Sequence, residues 1–150
     1  MRLPVPIRRL GFRVAHRLLR IWWFVRRPEQ HGVKCVLTDG ENVLLVRHTY
    51  GKREWDLPGG GIKRDERPLE AARREIEEEL GVRLDGWRDL GYLGATEYHR
   101  HDTIYCFQAE VNGKPLSIER AEIDTVRWFS RRRLPRDSGR YVRRIVALVG

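Results

Sequence analysis

GGIKRDERPLEAARREIEEELGV, residues 60 to 82, is the stretch from which the fold of this chain can be read. Its second half, Pro68 to Leu80, is the strongest helical segment of the sequence. Proline stands near the first position, where its missing N–H does no harm, and Gly81 follows as a stop. Leu69, Ala72, Ile76 and Leu80 supply an apolar stripe. Glu75, Glu78 and Glu79 stand at i, i+3 and i+4, within about 100° of the helix circumference and beside that stripe. Three like charges on one patch repel, and a hard divalent cation converts the repulsion into ligation. The plainer reading is a solvated glutamate-rich helix, partly neutralised by Arg73 and Arg74. The glycine run upstream tips the balance. Gly59, Gly60 and Gly61 after Pro58 forbid ordinary helix and let backbone groups come close to an ion or a phosphate.

Upstream of that stretch, GVKCVLTD (32 to 39) and NVLLVR (42 to 47) read as a hairpin turned at Gly40-Glu41. Downstream, WRDLGYLGATEY (87 to 98), TIYCFQAEV (103 to 111) and TVRWFS (125 to 130) read as strands. A final amphipathic helix is expected after Asp137 and Ser138, running towards Val149. Helix, hairpin, loop, helix, strands, helix is the order of an α+β fold with a mixed sheet sandwiched by helices.

One domain is what 150 residues support, and 41% hydrophobic with 34% charged side chains marks a soluble globular one. The formal charge of +9 is lopsided. Residues 1 to 27 hold eight arginines and no acid, which leaves 22 bases against 21 acids in the remainder. A near-neutral body gives no reason to expect a nucleic-acid partner. Ile7, Leu10, Val14, Leu18, Ile21 and Val25 recur at spacings of three and four between Pro6 and Pro28. The expected organisation is therefore a basic amphipathic helix over 1–29 and a domain over 30–150. Such a helix packs against the body or against a second copy in a homodimer. Its sharper alternative is peripheral contact of residues 7–27 with an anionic membrane, which Trp22, Trp23 and Phe24 would suit. Arg17 and Arg20 interrupt any apolar centre, so neither an export signal nor a spanning segment is read, and a cytoplasmic protein is expected. Cys35 and Cys106 lie in apolar alternating runs and read as buried free thiols.

The residues around the acidic helix carry a family resemblance. Gly60, five residues, Glu66, seven residues, then Arg74-Glu75-Ile76-x-Glu78-Glu79-x-Gly81-Val82 resembles the complete signature box of Nudix hydrolases. Every defined position is filled, which makes the match highly specific. The resemblance implies a Nudix-type α/β/α sandwich and a pyrophosphohydrolase that cleaves the diphosphate bond of a nucleoside diphosphate linked to another moiety. It further implies that Glu75, Glu78 and Glu79 are side-chain metal ligands and the Gly59 carbonyl a backbone ligand. By the same likeness Arg74 and Glu66 orient the carboxylates, and Gly81 lets the helix end turn away. Magnesium is the expected ion, with manganese as a substitute. The alternatives are a nucleotide-binding sensor without turnover and an RNA 5′-pyrophosphohydrolase.

Substrate contacts lie outside the box. Arg47, His48 and Arg53, with Lys52, precede the glycine turn and could meet terminal phosphates. Gly60 permits close approach of the backbone to substrate, and Tyr98 stands 16 residues beyond the box, near a tyrosine of dinucleoside-polyphosphate members. Trp55 reads as support for the loop. The general base is one of the box glutamates or an acid from a later loop, with Glu97, Asp102, Glu119 and Glu122 as unranked candidates.

Overall fold

The computed structural model describes residues 14–15, 18–19, 31–49, 51–97 and 100–150. The helix expected over residues 7–27 falls almost wholly outside them, as do Tyr98 and His99. The elements are β1 (His31–Asp39), β2 (Asn42–His48), β3 (Gly59–Gly61), α1 (Pro68–Leu80), β4 (Arg88–Glu97), β5 (Arg100–Glu110), β6 (Ile123–Ser130) and α2 (Val142–Val146).

The strands form one mixed sheet in the order β4-β5-β1-β2-β6, with β3 added on β1. β1 runs parallel to β5 from His31↔Thr103 to Thr38↔Glu110, and the other neighbours are antiparallel. The expected hairpin of β1 and β2 is present but pairs only next to its turn, at Thr38↔Val43 and Asp39↔Asn42. Beyond that point the two strands part. Residues 56 to 62 enter the split and satisfy the backbone on both sides, as buried amides require. Val46 and Asp56 exchange N–H···O bonds of 2.8 and 2.9 Å, Cys35 N–H donates to Pro58 O at 2.8 Å, and Ile62 N–H donates to His31 O at 2.9 Å. The glycine run expected as an irregular loop is thus a short strand, with Gly60 opposite Val33.

Alternation along β1 sends side chains to two cores. Val33, Cys35 and Leu37 join Leu44, Val46, Phe107 and Ile123 under Ala72, Ile76 and Leu80 of α1. On the other face Val36, Leu45, Leu57 and Cys106 meet Val142, Ile145 and Val146 of α2. The result is the expected sandwich. Both cysteines are buried free thiols, one on each face.

α1 has the predicted bounds. Arg67 N–H donates to the Glu70 carboxylate at 3.1 Å at its start, and Gly81 ends it at φ 60, ψ 29, the left-handed conformation of a helix stop. α2 is shorter than expected, only five residues. The reason lies in competing hydrogen bonds. Asp137 and Gly139 are tied to Trp55 by backbone bonds of 2.9 and 2.7 Å, which keeps the chain extended there. At the far end Leu148 and Val149 bond three residues back instead of four.

Ile76 is fully buried between α1 and the sheet. Ile76→Ala is expected to lower unfolding free energy by about 2–5 kcal/mol, read from urea titrations. An unchanged midpoint would remove α1 from the core.

Candidate active site

The sheet-facing side of α1 is not purely apolar. Glu75 and Glu79 flank Ile76 and are as buried as the core, at 3% and 2% exposure. Ionised carboxylates so placed require partners. Glu75 receives Arg74 Nη1 at 2.7 Å, and Glu79 Oε2 receives the Gly59 N–H at 3.3 Å. Glu78, one turn on from Glu75, is more open and takes Arg74 Nη1 at 3.4 Å.

Arg74 organises this surface. Its Nε and Nη2 grip both oxygens of Glu66 at 2.7 and 2.8 Å, while Nη2 also donates to Gly61 O at 2.9 Å. One guanidinium therefore ties α1 to the glycine strand and to the turn before the helix. A planar fork can do this and an ammonium cannot. Arg74's hydrogen bonds hold Glu66 below the usual carboxylate range, and the same contacts raise Arg74 itself.

The glycines fit by contact. A Cβ on Gly60 would sit 2.4 Å from the Glu75 carboxyl carbon, and one on Gly59 would sit 2.0 Å from Val33 O. Only glycine lets the backbone of 59 and 60 lie against these acids.

The far end of α1 brings in another loop. Its last carbonyls would otherwise be orphaned. Ser117 N–H donates to Leu80 O at 2.8 Å and Glu119 N–H to Glu79 O at 2.9 Å, while Gly81 turns the chain aside. A Cβ on Gly81 would meet Ser117 Cβ at 2.8 Å. This loop carries Glu122 into electrostatic reach of Glu79. Burial first, then the charges of Glu75 and Glu122, push the Glu79 carboxyl well above its ordinary value, against the pull of Lys34 and the Gly59 N–H. Glu122, one of the four acids left unranked by sequence, thus places its charge within reach of Glu79.

Not all predicted residues gather here. Glu66, Arg74, Glu75, Glu78, Glu79, Gly59 and Gly60 form one cluster. His48 lies beside it, its ring hydrogen-bonded to the Glu122 backbone, and burial followed by the Lys34 charge lowers its pKa. Thr49 N–H and hydroxyl strap the end of β2 to the same loop, through Glu122 O at 3.0 Å and Ala121 O at 2.8 Å. Arg53 reaches Asp124 at 3.3 Å on the surface. Arg47 is elsewhere: it pairs with Asp137 and covers the Trp55 ring at 4.4 Å. Trp55 itself is core, edge-on to Phe129 at 4.9 Å. Among the described residues no three His, Cys, Asp or Glu side chains stand in ready ligand geometry, and Arg74 Nη1 lies between Glu75 and Glu78.

Sequence reasoning missed Lys34. It pairs in register with Cys106 and so emerges on the α2 face, where Nζ donates to Asp56 Oδ2 at 2.6 Å and to Leu57 O at 3.3 Å. Asp56 Oδ1 in turn accepts the Leu57 N–H at 2.8 Å. The pair thus braces the residues that lead into the glycine strand. A lysine inside an otherwise apolar alternation was the available signal.

A family model described as NUDIX domain matches residues 28–148. The chain belongs to the NUDIX domain family. It is 29% identical over 119 residues to the RNA pyrophosphohydrolase of Thioalkalivibrio sulfidiphilus, across 64% of this chain and 67% of that protein. To the ADP-ribose pyrophosphatase of Mycobacterium tuberculosis it is 31% identical over 101 residues, across 62% and 48%. The MutT NUDIX hydrolase of Burkholderia pseudomallei shares the fold, with a TM-score of 0.74 at 23% identity over 81% of this chain and 98% of that one. Overall, this NUDIX chain spans 32% to 68% of the length of the curated relatives it matches.

The brace has a pH signature. Burial alone would lower the Lys34 ammonium, but the charge and hydrogen bond of Asp56 prevail and hold it above the ordinary 10.5. Burial likewise works against ionised Asp56, yet Lys34 keeps it below the ordinary 3.8. The pair's stabilisation is therefore full between those two values. It is lost in acid as Asp56 protonates through its depressed pKa, and in base as Lys34 deprotonates through its raised one. Urea unfolding of Lys34→Met, Asp56→Asn and the double variant at neutral pH should give a coupling of about 1 kcal/mol or more. It should fade in acid; strict additivity at neutral pH would refute the pairing.

Proposed function

We propose that this NUDIX domain is a magnesium-dependent pyrophosphohydrolase that cleaves the diphosphate bond of a nucleoside diphosphate linked to another moiety. The observation that carries this is the burial of Glu75 and Glu79, at 3% and 2% exposure, against the backbone of two glycines. A hard dication suits two buried carboxylates beside backbone oxygen, whereas a fold alone is better served by apolar side chains there. Glu75, Glu78, Glu79 and the Gly59 carbonyl would hold the ion, and manganese would serve in its place. When bound, such an ion neutralises diphosphate oxygens and acidifies water.

The remaining steps belong to side chains of this chain. Arg74 fixes the rotamers of Glu66 and Glu75, so that charge is in place before substrate arrives. Glu122 takes the proton from the attacking water, the role that its charge beside Glu79 supports. His48 and Arg53, at the loop that carries Glu122, orient the phosphates, and Tyr98 remains a proposed contact outside the described residues. Residues 30–150 form the catalytic domain. For residues 1–29, which lie almost wholly outside the described residues, the proposed role is that of a segment that covers the domain, joins two copies or touches an anionic membrane, in a cytoplasmic protein. Among the described residues no helix is long and apolar enough to cross a membrane.

A second substrate reading, removal of terminal phosphates from RNA, is favoured by the likeness to an RNA pyrophosphohydrolase. Phosphate and pyrophosphate release from nucleotide derivatives and from a triphosphorylated oligonucleotide, with and without magnesium, tests both. Release is expected only with the metal. Glu79→Gln and Glu122→Gln should each reduce kcat about 100-fold or more with the fold intact, and Glu119→Gln should stay near wild type. Binding without release would favour a nucleotide sensor instead.

A further inference from the structure

The near-neutral sum over the domain conceals a separation of charge. Residues 28 to 126 hold fourteen bases and twenty acids, whereas residues 127 to 150 hold eight arginines and a single acid, Asp137. That acid is already taken by Arg47. The arginines are gathered around α2. Arg131, Arg132 and Arg143 line an open cleft of about 500 Å³ with Leu134, Val146 and Gly150, and Glu41 is its one acidic side chain. Glu41 is shared at long range by Arg131 and Arg132, at 3.4 and 3.9 Å. Arg143 donates to the carbonyls of Leu134 and Pro135, at 3.4 and 3.0 Å, and has no ion pair among the described residues. Arg133, Arg136 and Arg144 are exposed and have no ion pair among the described residues.

The loop that precedes α2 is tied to the segment that leads into the glycine strand, although α2 itself lies on the other face of the sheet from α1. Asp137 and Gly139 are stitched to Trp55 by backbone bonds of 2.9 and 2.7 Å, three residues before Pro58 and the glycine strand. A flexible polyanion anchored at Gly59 and Glu79 and long enough to reach the α2 side would meet guanidiniums there. Phosphodiester oxygens match the planar fork of arginine. Two arginines of this surface also lie over rings, Arg127 over Phe129 at 5.9 Å and Arg140 over Tyr141 at 5.5 Å. A lipid surface fits less well. Adsorption needs an apolar face, and Leu148 is the one exposed large hydrophobic residue between 127 and 150.

We propose that the surface from Arg131 to Arg144 binds the phosphodiester backbone of a single-stranded RNA whose 5′ polyphosphate enters the acidic site. The proposal rests on the pyrophosphohydrolase reading and names the substrate class for it. The test replaces four arginines without backbone duties, in the variant Arg132→Gln/Arg133→Gln/Arg136→Gln/Arg144→Gln of the full chain. Fluorescence anisotropy with a short labelled 5′-triphosphorylated RNA, in EDTA so that hydrolysis is silent, measures the surface. Magnesium-dependent hydrolysis of free nucleoside triphosphates measures the site.

Wild type should bind RNA with a steep salt dependence. The glutamine variant should bind about ten-fold or more weakly at low salt, with its log-log salt slope flatter by about 2 to 3, from four charges at roughly 0.7 each. Its nucleotide hydrolysis should stay within about two-fold of wild type. Lysine at the same four positions should restore the slope, which excludes a folding defect. Equal RNA binding by wild type and the glutamine variant would overturn the proposal, because residues 1–27 would then carry the affinity. So would arginine-dependent binding to anionic vesicles with none to RNA. Retained RNA binding by a wild type that hydrolyses nothing would sink the enzymatic reading and leave the surface standing.

Discussion

Two carboxylates held out of water within one helical turn set the terms for this structure. Glu75 and Glu79 repel each other, and the same low-dielectric surroundings that magnify the repulsion also magnify any compensating contact. Three compensations converge on them: the Arg74 guanidinium, the Gly59 amide and, from the opposite face of the sheet, the Lys34 charge. Each comes from a different part of the chain. The turn at Glu66, the glycine strand and β1 must therefore all be in place before α1 can settle with its acids inward.

That requirement explains the unusual course of the sheet. A complete β1-β2 hairpin would leave no route for the glycine strand to α1. Because the two strands stay paired only at Thr38 and Asp39, the chain from Asp56 to Ile62 can lie between them and use their free backbone groups. The Lys34–Asp56 contact holds this insertion on one face and Arg74 to Gly61 holds it on the other. The acidic site is thus built where the sheet has been opened and refilled.

Most of α1 and its box were legible in the sequence, because proline, glycine, stripe and glutamates all act within a few residues of one another. Strand existence was legible for the same reason. What escaped was decided over longer separations. Gly59 to Gly61 has no β propensity of its own and is a strand only because Val33 and its neighbours supply partners. The shortening of α2 depends on Trp55, over eighty residues upstream. Glu122 could be named but not ranked, since only the capping of Leu80 and Glu79 by residues 117 and 119 brings its loop to the site. The basic surface was hidden by adding charges along the chain instead of mapping them in space.

The placement of the two thiols also governs their chemistry. Cys35 faces the α1 core and Cys106 the α2 core, so the sheet itself stands between them and no bridge can form. Burial, reinforced at Cys35 by Glu79 and Glu75, pushes both thiols up, Cys106 to about 11. Peroxides and electrophiles attack the thiolate, which is scarce at such values. The carboxylate site therefore sits in a domain whose two cysteines are buried and poorly ionised, so an oxidant finds little thiolate there to attack.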